Sequence, residues 1–228
     1  MARLAIRSLA GVALGAAVVL AAATPARAEK PTARLERAAV VFHEIMSAPD
    51  GGIPRGLLHR AKCVIVIPGM KRAGLGFGGN FGRGVVSCRD GRGWSAPLFL
   101  TVGGGSFGLQ IGAQESDLVL LIMNQEGAHY LLKDKFSLGG DMEATAGPVG
   151  RSADAQTDAL MHAEMLAYSR SRGLFGGITL KGGVIKQDHG ANRAFYGNET
   201  AQQILGGRVG APPEAGNLLA ALRDYSHE

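Results

Sequence analysis

Cysteine and aromatic residues are scarce in this chain. Of 228 residues, 2 are cysteine, 1 is tryptophan and 6% are aromatic. Two cysteines do not complete a zinc set, which takes four ligands as a rule. The histidines, His43, His59, His129, His162, His189 and His227, are scattered without the spacing of a helix-borne metal site. No lysine is followed by serine or threonine, so a GxxxxGK[ST] phosphate loop is excluded. Trp94-Ser95-Ala96 lacks the GxSxG nucleophile elbow. Asp188 and His189 adjoin each other in what reads as a solvated turn. After the first two dozen residues, no apolar run approaches the roughly 20 residues that a membrane span needs. These absences argue against an enzyme, and no cofactor is expected.

The start of the chain carries an export pattern. Arg3 and Arg7 precede an apolar stretch from Ser8 to Ala23, and Ala26-Arg27-Ala28 supplies small-x-small residues before a cleavage point. The apolar run is shorter than the roughly 20 residues of a transmembrane anchor. Residues 1–28 therefore read as a cleaved signal peptide, with a mature start at Glu29. No cysteine follows the run, so the residue for lipid attachment is missing. The expected location is the periplasm or the outer envelope, or outside the cell. Cleavage removes Arg3, Arg7 and Arg27, which leaves 21 basic against 19 acidic residues and lowers the formal charge from +5 to +2. A globally basic domain is the footprint of nucleic-acid binding, and this chain loses it. The remaining 200 residues suit one domain with a sizeable core.

What the chain has in excess is glycine. Its 35 glycines are about twice the usual ~7%, and they do not recur at every third position. Four apolar runs, Lys62–Pro68, Arg83–Cys88, Ala96–Val102 and Phe107–Ala113, are separated or interrupted by them. Between the first two, from Gly74 to Gly84, glycines alternate with apolar residues. A helix loses about 1 kcal/mol per glycine relative to alanine. Alternation with bends suits strands of a curved sheet instead. Turns are expected near Met70-Lys71, at Asp90–Gly93 and at Gly103–Ser106. Asp117–Met123, continuously apolar, reads as a strand covered on both faces. Further strands are expected over 141–149 and 164–169, with bent strands over 174–185.

Helices are fewer. Leu35, Ala38, Ala39, Phe42, Ile45 and Met46 recur at helical spacing within 31–48. Pro54 opens a second short helix to Ala61. Asn124 can cap a third over 125–133, Thr200–Leu205 forms a closing helix, and 154–166 begins helically. The fold class is α+β: a curved, barrel-like antiparallel sheet with several packed helices in a single domain.

Cys63 and Cys88 leave two readings open. An even pair in an exported chain suggests a disulfide. A hairpin turning near Met70-Lys71 argues for free thiols, because Cys63 would then face about position 78. Cys88 would lie about 33 Å further along a straight strand. Only a sharp bend at the glycines, or a strand returning by another path, joins them.

Several segments, in order, resemble the SYLF domain family. They begin with Ile53-Pro54, Leu57-Leu58 and Ala61, then Pro68, Lys71 and Gly74. Gly78-Gly79, Gly82-Arg83-Gly84, Trp94-Ser95-Ala96-Pro97, Gly112 and Asp117-Leu118-Val119-Leu120 follow. Gly139, Asp141, Ala146-Gly147-Pro148 and Gly150-Arg151 come next, and the series closes with 168–177 and Phe195-Tyr196-Gly197. The resemblance covers about residues 35 to 207 and delimits a SYLF-like domain at 29–207 with a C-terminal tail at 208–228. It implies binding of phosphoinositides or other anionic lipids, with actin as a further partner of eukaryotic members. SH3 and FYVE modules of some members are absent from this sequence. The signal peptide marks an exported bacterial member and removes actin as an ordinary partner.

Basic residues fit that expectation. Arg55, Arg60, Lys62, Lys71, Arg72, Arg83 and Arg89 cluster with few acids between them, and Arg151, Arg170, Arg172, Lys181 and Lys186 form a later group. The expected lipid contact is Lys71 and Arg72 at a hairpin tip, with Arg60, Lys62 and Arg83 nearby. Each such cation near an anionic membrane contributes on the order of 1 kcal/mol. The sequence thus reads as a non-catalytic, membrane-associated protein that contacts anionic phospholipids through a basic surface. The alternative is a structural or protein-interaction scaffold of the envelope, its protein partner unknown, with incidental lipid contact.

Overall fold

The computed structural model describes residues 29–48, 52–148, 163–171, 174–177 and 182–226. The signal-peptide expectation, the helix expected from 154 onward, and Arg151, Arg172 and Lys181 lie outside the described residues.

Two long strands organise the sheet. β1 runs over Cys63–Cys88 and β2 over Leu98–Ile122. They pair antiparallel from Cys63 opposite Ile122 to Val86 opposite Leu98, with register shifts at Ile67/Met70 and Leu75/Phe77. Laid straight, a strand of this length would span about 85 Å. Yet the Cα atoms of Cys63 and Cys88 are 3.9 Å apart, and the two residues form a disulfide. Beside it, the Arg89 N–H donates to the Lys62 carbonyl at 2.8 Å. The ribbon therefore curls until the two ends of β1 meet. Gly84 permits the crossing: a Cβ there would lie 2.4 Å from the Val66 carbonyl oxygen.

This curl corrects two expectations. No hairpin turns at Met70-Lys71, and none at Gly103–Ser106; β1 and β2 pass through both places as strand. Glycine bends the ribbon there without ending it, and irregular register adds local twist. The free-thiol reading fell with the hairpin, because it assumed a straight return strand. The turn at Asp90–Gly93 is present, closed by a hydrogen bond from Asp90 N to the Gly93 carbonyl.

The other edge of β2 is shared. β3 (Lys135–Ser137), β4 (Ala144–Ala146), β5 (Met165–Ser171), β6 (Leu174–Gly177) and β7 (Val184–Gln187) complete a sheet of 7 strands among the described residues. β7 pairs with Leu100–Gly103 and β5 with Asp117–Ile122. β3 joins β7, β6 joins β5, and β4 runs parallel to β5. The sheet is otherwise antiparallel, and the α+β class stands.

Helices cover part of the sheet. α1 spans Pro31–Met46 and buries Leu35, Ala38, Phe42 and Ile45 on its apolar stripe. Fully burying each of the larger of these side chains contributes about 1.5–3 kcal/mol. α2 (Arg55–Arg60) follows Pro54. α3 (Gln125–Tyr130) is capped by Asn124, whose side chain accepts from Gly127 N. α4 (His189–Tyr196) stands where Asp188-His189 suggested a solvated loop. Asp188 caps it, accepting from Ala191 N at 3.1 Å. α5 (Ala201–Leu205) begins with a Thr200–Gln203 capping box. The C-terminal segment, whose last dozen residues read as a short helix or a frayed tail, carries α6 (Gly216–Ser226), with Leu218 and Leu222 buried.

Two polar contacts anchor the helix layer to β2. Asn192 of α4 accepts from the Phe99 N–H at 2.8 Å and donates to the Phe99 carbonyl at 3.0 Å. Arg34 of α1, only 2% exposed, pairs with Asp188 at 3.0 Å and stacks over Phe99. A buried cation is tolerated only when paired, and Asp188 fulfils that condition while capping α4.

Candidate functional site

The predicted basic residues do not converge. Arg60 ends α2, and Lys62 precedes β1; both are exposed. Lys71 lies inside the β1–β2 ladder opposite Glu115, and Arg72 opposite Gln114. With no hairpin tip at this point, Lys71 faces a carboxylate directly across the ladder. Arg170, in the later basic group, is also engaged: it pairs with Asp117 at 3.1 Å and with Glu44.

Arg83 belongs to a different arrangement, which register alone brings together. It stands opposite Thr101 of β2; Thr101 stands opposite Lys186 of β7; Lys186 stands opposite Lys135 of β3. Directly opposed residues share a face of the sheet, so Arg83, Thr101, Lys186 and Lys135 form one row across adjacent strands. Two positions along lies a second row: Phe81, Gly103, Val184 and Ser137. Phe81 is 52% exposed, and the Arg83 guanidinium lies 5.7 Å from its ring centre. Lys135 and Lys186 are exposed.

Alternation explains why this face is available. Gly82, Val102, Ile185 and Phe136 take the intervening positions and are buried on the other side. Along the same face, Val85 and Phe99 are covered by the helix layer, Phe99 lying 5.0 Å from Phe195. Beyond them, Thr101 and Gly103 are half-buried and Phe81 is exposed. The result is a helix-covered end and an open end carrying an aromatic ring and three cations. The Arg83 Nε is buried without a hydrogen-bond partner. Lys135 and Lys186 face each other with like charge, an arrangement that costs folding energy.

A family model described as Las17-binding protein actin regulator, Ysc84, matches residues 103–225. The chain belongs to the SYLF family. Protein YSC84 of Saccharomyces cerevisiae is 38% identical to it over 199 residues, 85% of this chain and 42% of that protein. LAS seventeen-binding protein 3 of the same yeast is 37% identical, over 85% of this chain and 43% of its own length. SH3 domain-containing YSC84-like protein 1 of Mus musculus is 33% identical, over 82% of this chain and 56% of its own. The SYLF chain thus spans about half the length, or less, of these curated relatives.

Within this SYLF chain, one catalytic spacing needs a structural answer. Gly104-Gly105-Ser106-Phe107-Gly108 satisfies GxSxG. It lies wholly inside β2, whereas a nucleophile elbow sits on a sharp strand-to-helix turn. His189 and Asp134 approach to 3.5 Å, but both are largely exposed, so water screens the pair. Burial pushes the Tyr168 and Tyr196 hydroxyls well above their ordinary range, the latter helped by Glu214. The Tyr196 hydroxyl donates to the Pro97 carbonyl at 2.7 Å and serves packing. No helix among the described residues is long and apolar enough to cross a membrane.

Proposed function

We propose that the protein is a non-catalytic lipid-binding protein of the cell envelope, which lays the Phe81, Arg83, Lys186 and Lys135 face on anionic phospholipid headgroups. The observation that carries this reading is the cross-strand basic row beside an exposed aromatic ring. Each cation near an anionic surface contributes about 1 kcal/mol. Arg83, Lys186 and Lys135 together give about 3 kcal/mol, roughly 150-fold in affinity. Phe81 adds apolar contact at the level of the headgroups. Phosphates on this face would also offset the mutual repulsion of Lys135 and Lys186. Export is supported by the Ala26-Arg27-Ala28 pattern, and by a disulfide of the kind that persists in oxidising compartments.

Flotation with vesicles tests the reading. The protein should float with phosphatidylcholine vesicles that carry phosphatidylserine or a phosphoinositide, and remain below with phosphatidylcholine alone. Floated protein should fall as salt rises from about 50 to 300 mM, because screening shortens the reach of exposed charges. Equal flotation with neutral and anionic vesicles would refute it.

A protein-interaction scaffold is the second reading. One relative above, LAS seventeen-binding protein 3, and the description of the matching family model, Las17-binding protein actin regulator, both name a protein partner, and the same cations would suit an acidic protein surface. Saturable, salt-sensitive binding to vesicles alone favours the lipid reading.

A further inference from the structure

A cavity of about 240 Å³ opens where the two ends of β1 meet. Ala128, Leu132 and Leu205 give it apolar walls, and the Cys63–Cys88 pair lines another side. Its basic lining residues are Lys62, Arg89 and His129, and none of its lining residues among those described is acidic. The cavity shares no residue with the open sheet face.

The cations differ in freedom. Arg89 donates from Nε to the Ala61 carbonyl at 3.1 Å and from Nη2 to the Leu58 carbonyl at 3.4 Å, and it stacks over Trp94. It is fixed in place, with part of its five-donor guanidinium unspent. Lys62 is exposed and has no ion pair among the described residues. Asp90, next to Arg89 in the chain, accepts from the Arg92 N–H at 2.9 Å.

Charge of one sign above apolar walls selects for an occupant with both characters. A bare inorganic anion would leave Ala128, Leu132 and Leu205 facing water. A neutral hydrocarbon would leave Lys62 and Arg89 unanswered. At ~30 Å³ per water-sized group, the space takes about eight such groups. We propose that this cavity binds a small amphipathic carboxylate, with its carboxylate at Lys62 and its short apolar end against Ala128, Leu132 and Leu205.

Hexanoate, which has the required size and charge, is the probe. Titrated into the full protein, it should shift the amide resonances of Lys62, Ala128, Leu132 and Leu205, with a Kd near 1 mM. Hexan-1-ol should bind at least about threefold more weakly, and Lys62→Gln should weaken hexanoate by a similar factor while leaving hexan-1-ol unchanged. Ala128→Phe should abolish the shifts by filling the space; if it lowers thermal stability, Lys62→Gln carries the test alone. Equal affinity for the alcohol and the carboxylate overturns the charge assignment, as does an unaffected Lys62→Gln variant. Absence of shifts up to about 20 mM hexanoate overturns the site. Dodecanoate binding more than about tenfold tighter than hexanoate would show a long chain leaving the mouth, against the size assigned. No vesicles are used, so neither result bears on the sheet face.

Discussion

Lys186→Glu should make the protein more stable and a poorer membrane binder. Lys186 faces Lys135 directly across the β3–β7 pair. Opposed like charges destabilise, and opposed unlike charges stabilise, by roughly 0.2–1 kcal/mol. Glutamate and lysine are similarly poor strand formers, so the backbone term nearly cancels. The exchange should therefore gain about 0.5–1 kcal/mol. For a domain of this size, that raises Tm by roughly 1–4 °C. Arg83 is two strand spacings away, about 10 Å, and contributes little at ordinary salt. Binding moves the other way. One positive charge is lost and one negative gained, worth about 2 kcal/mol together, or roughly 30-fold weaker binding to anionic vesicles. Thermal melting and co-sedimentation on the same preparation read both quantities. Lys186→Arg should preserve both. A variant that melts lower, or that binds within about twofold of the parent, would refute the assignment of this face.

Other expectations follow from single features. Cys63→Ser with Cys88→Ser opens a loop of sequence separation 25; denaturant unfolding should show a loss of about 3.5 kcal/mol on the chain-entropy model. Asn192→Ala removes both hydrogen bonds to the buried Phe99 backbone and should cost about 2–4 kcal/mol in the same assay. Replacing Lys71 and Arg72 together with Glu should reduce vesicle binding less than Lys186→Glu does, since these residues lie inside the β1–β2 ladder, beside Glu115. Intact mass of the exported protein should begin at Glu29.

Local signals in the sequence translated well. The helical stripe from Leu35 to Ile45 became α1, Asn124 became a cap, the closing helix expected over Thr200–Leu205 became α5, and the apolar run from Asp117 became part of the central strand. The glycines misled in one respect. They marked curvature correctly, but curvature and chain reversal carry the same residues, and only the pairing between β1 and β2 separates them. Asp188 read as a turn residue because α4 is only 8 residues long, with an apolar stripe too short to stand out. The proposed binding face is visible only in part. Arg83 and Lys186 stand out in the sequence but in separate basic groups, and Lys135 in neither; only strand pairings distant in sequence bring the three together. Phe81 carried no signal, because an isolated phenylalanine among glycines does not declare which face it will take.

The way β1 and β2 meet also orders events in time. They are consecutive strands, so the rung from Val86 to Leu98 closes the shortest loop and the rung from Cys63 to Ile122 the longest. Short loops close at the lowest entropic cost, so pairing should advance from the first rung outward like a zipper. Cys63 sits on the final rung and reaches Cys88 only when the ribbon has completed its turn. Oxidation is then a clock for the last step of assembly. During refolding from the reduced state, strand signal by circular dichroism should recover before thiols become protected from alkylation; protection that comes first would reverse that order.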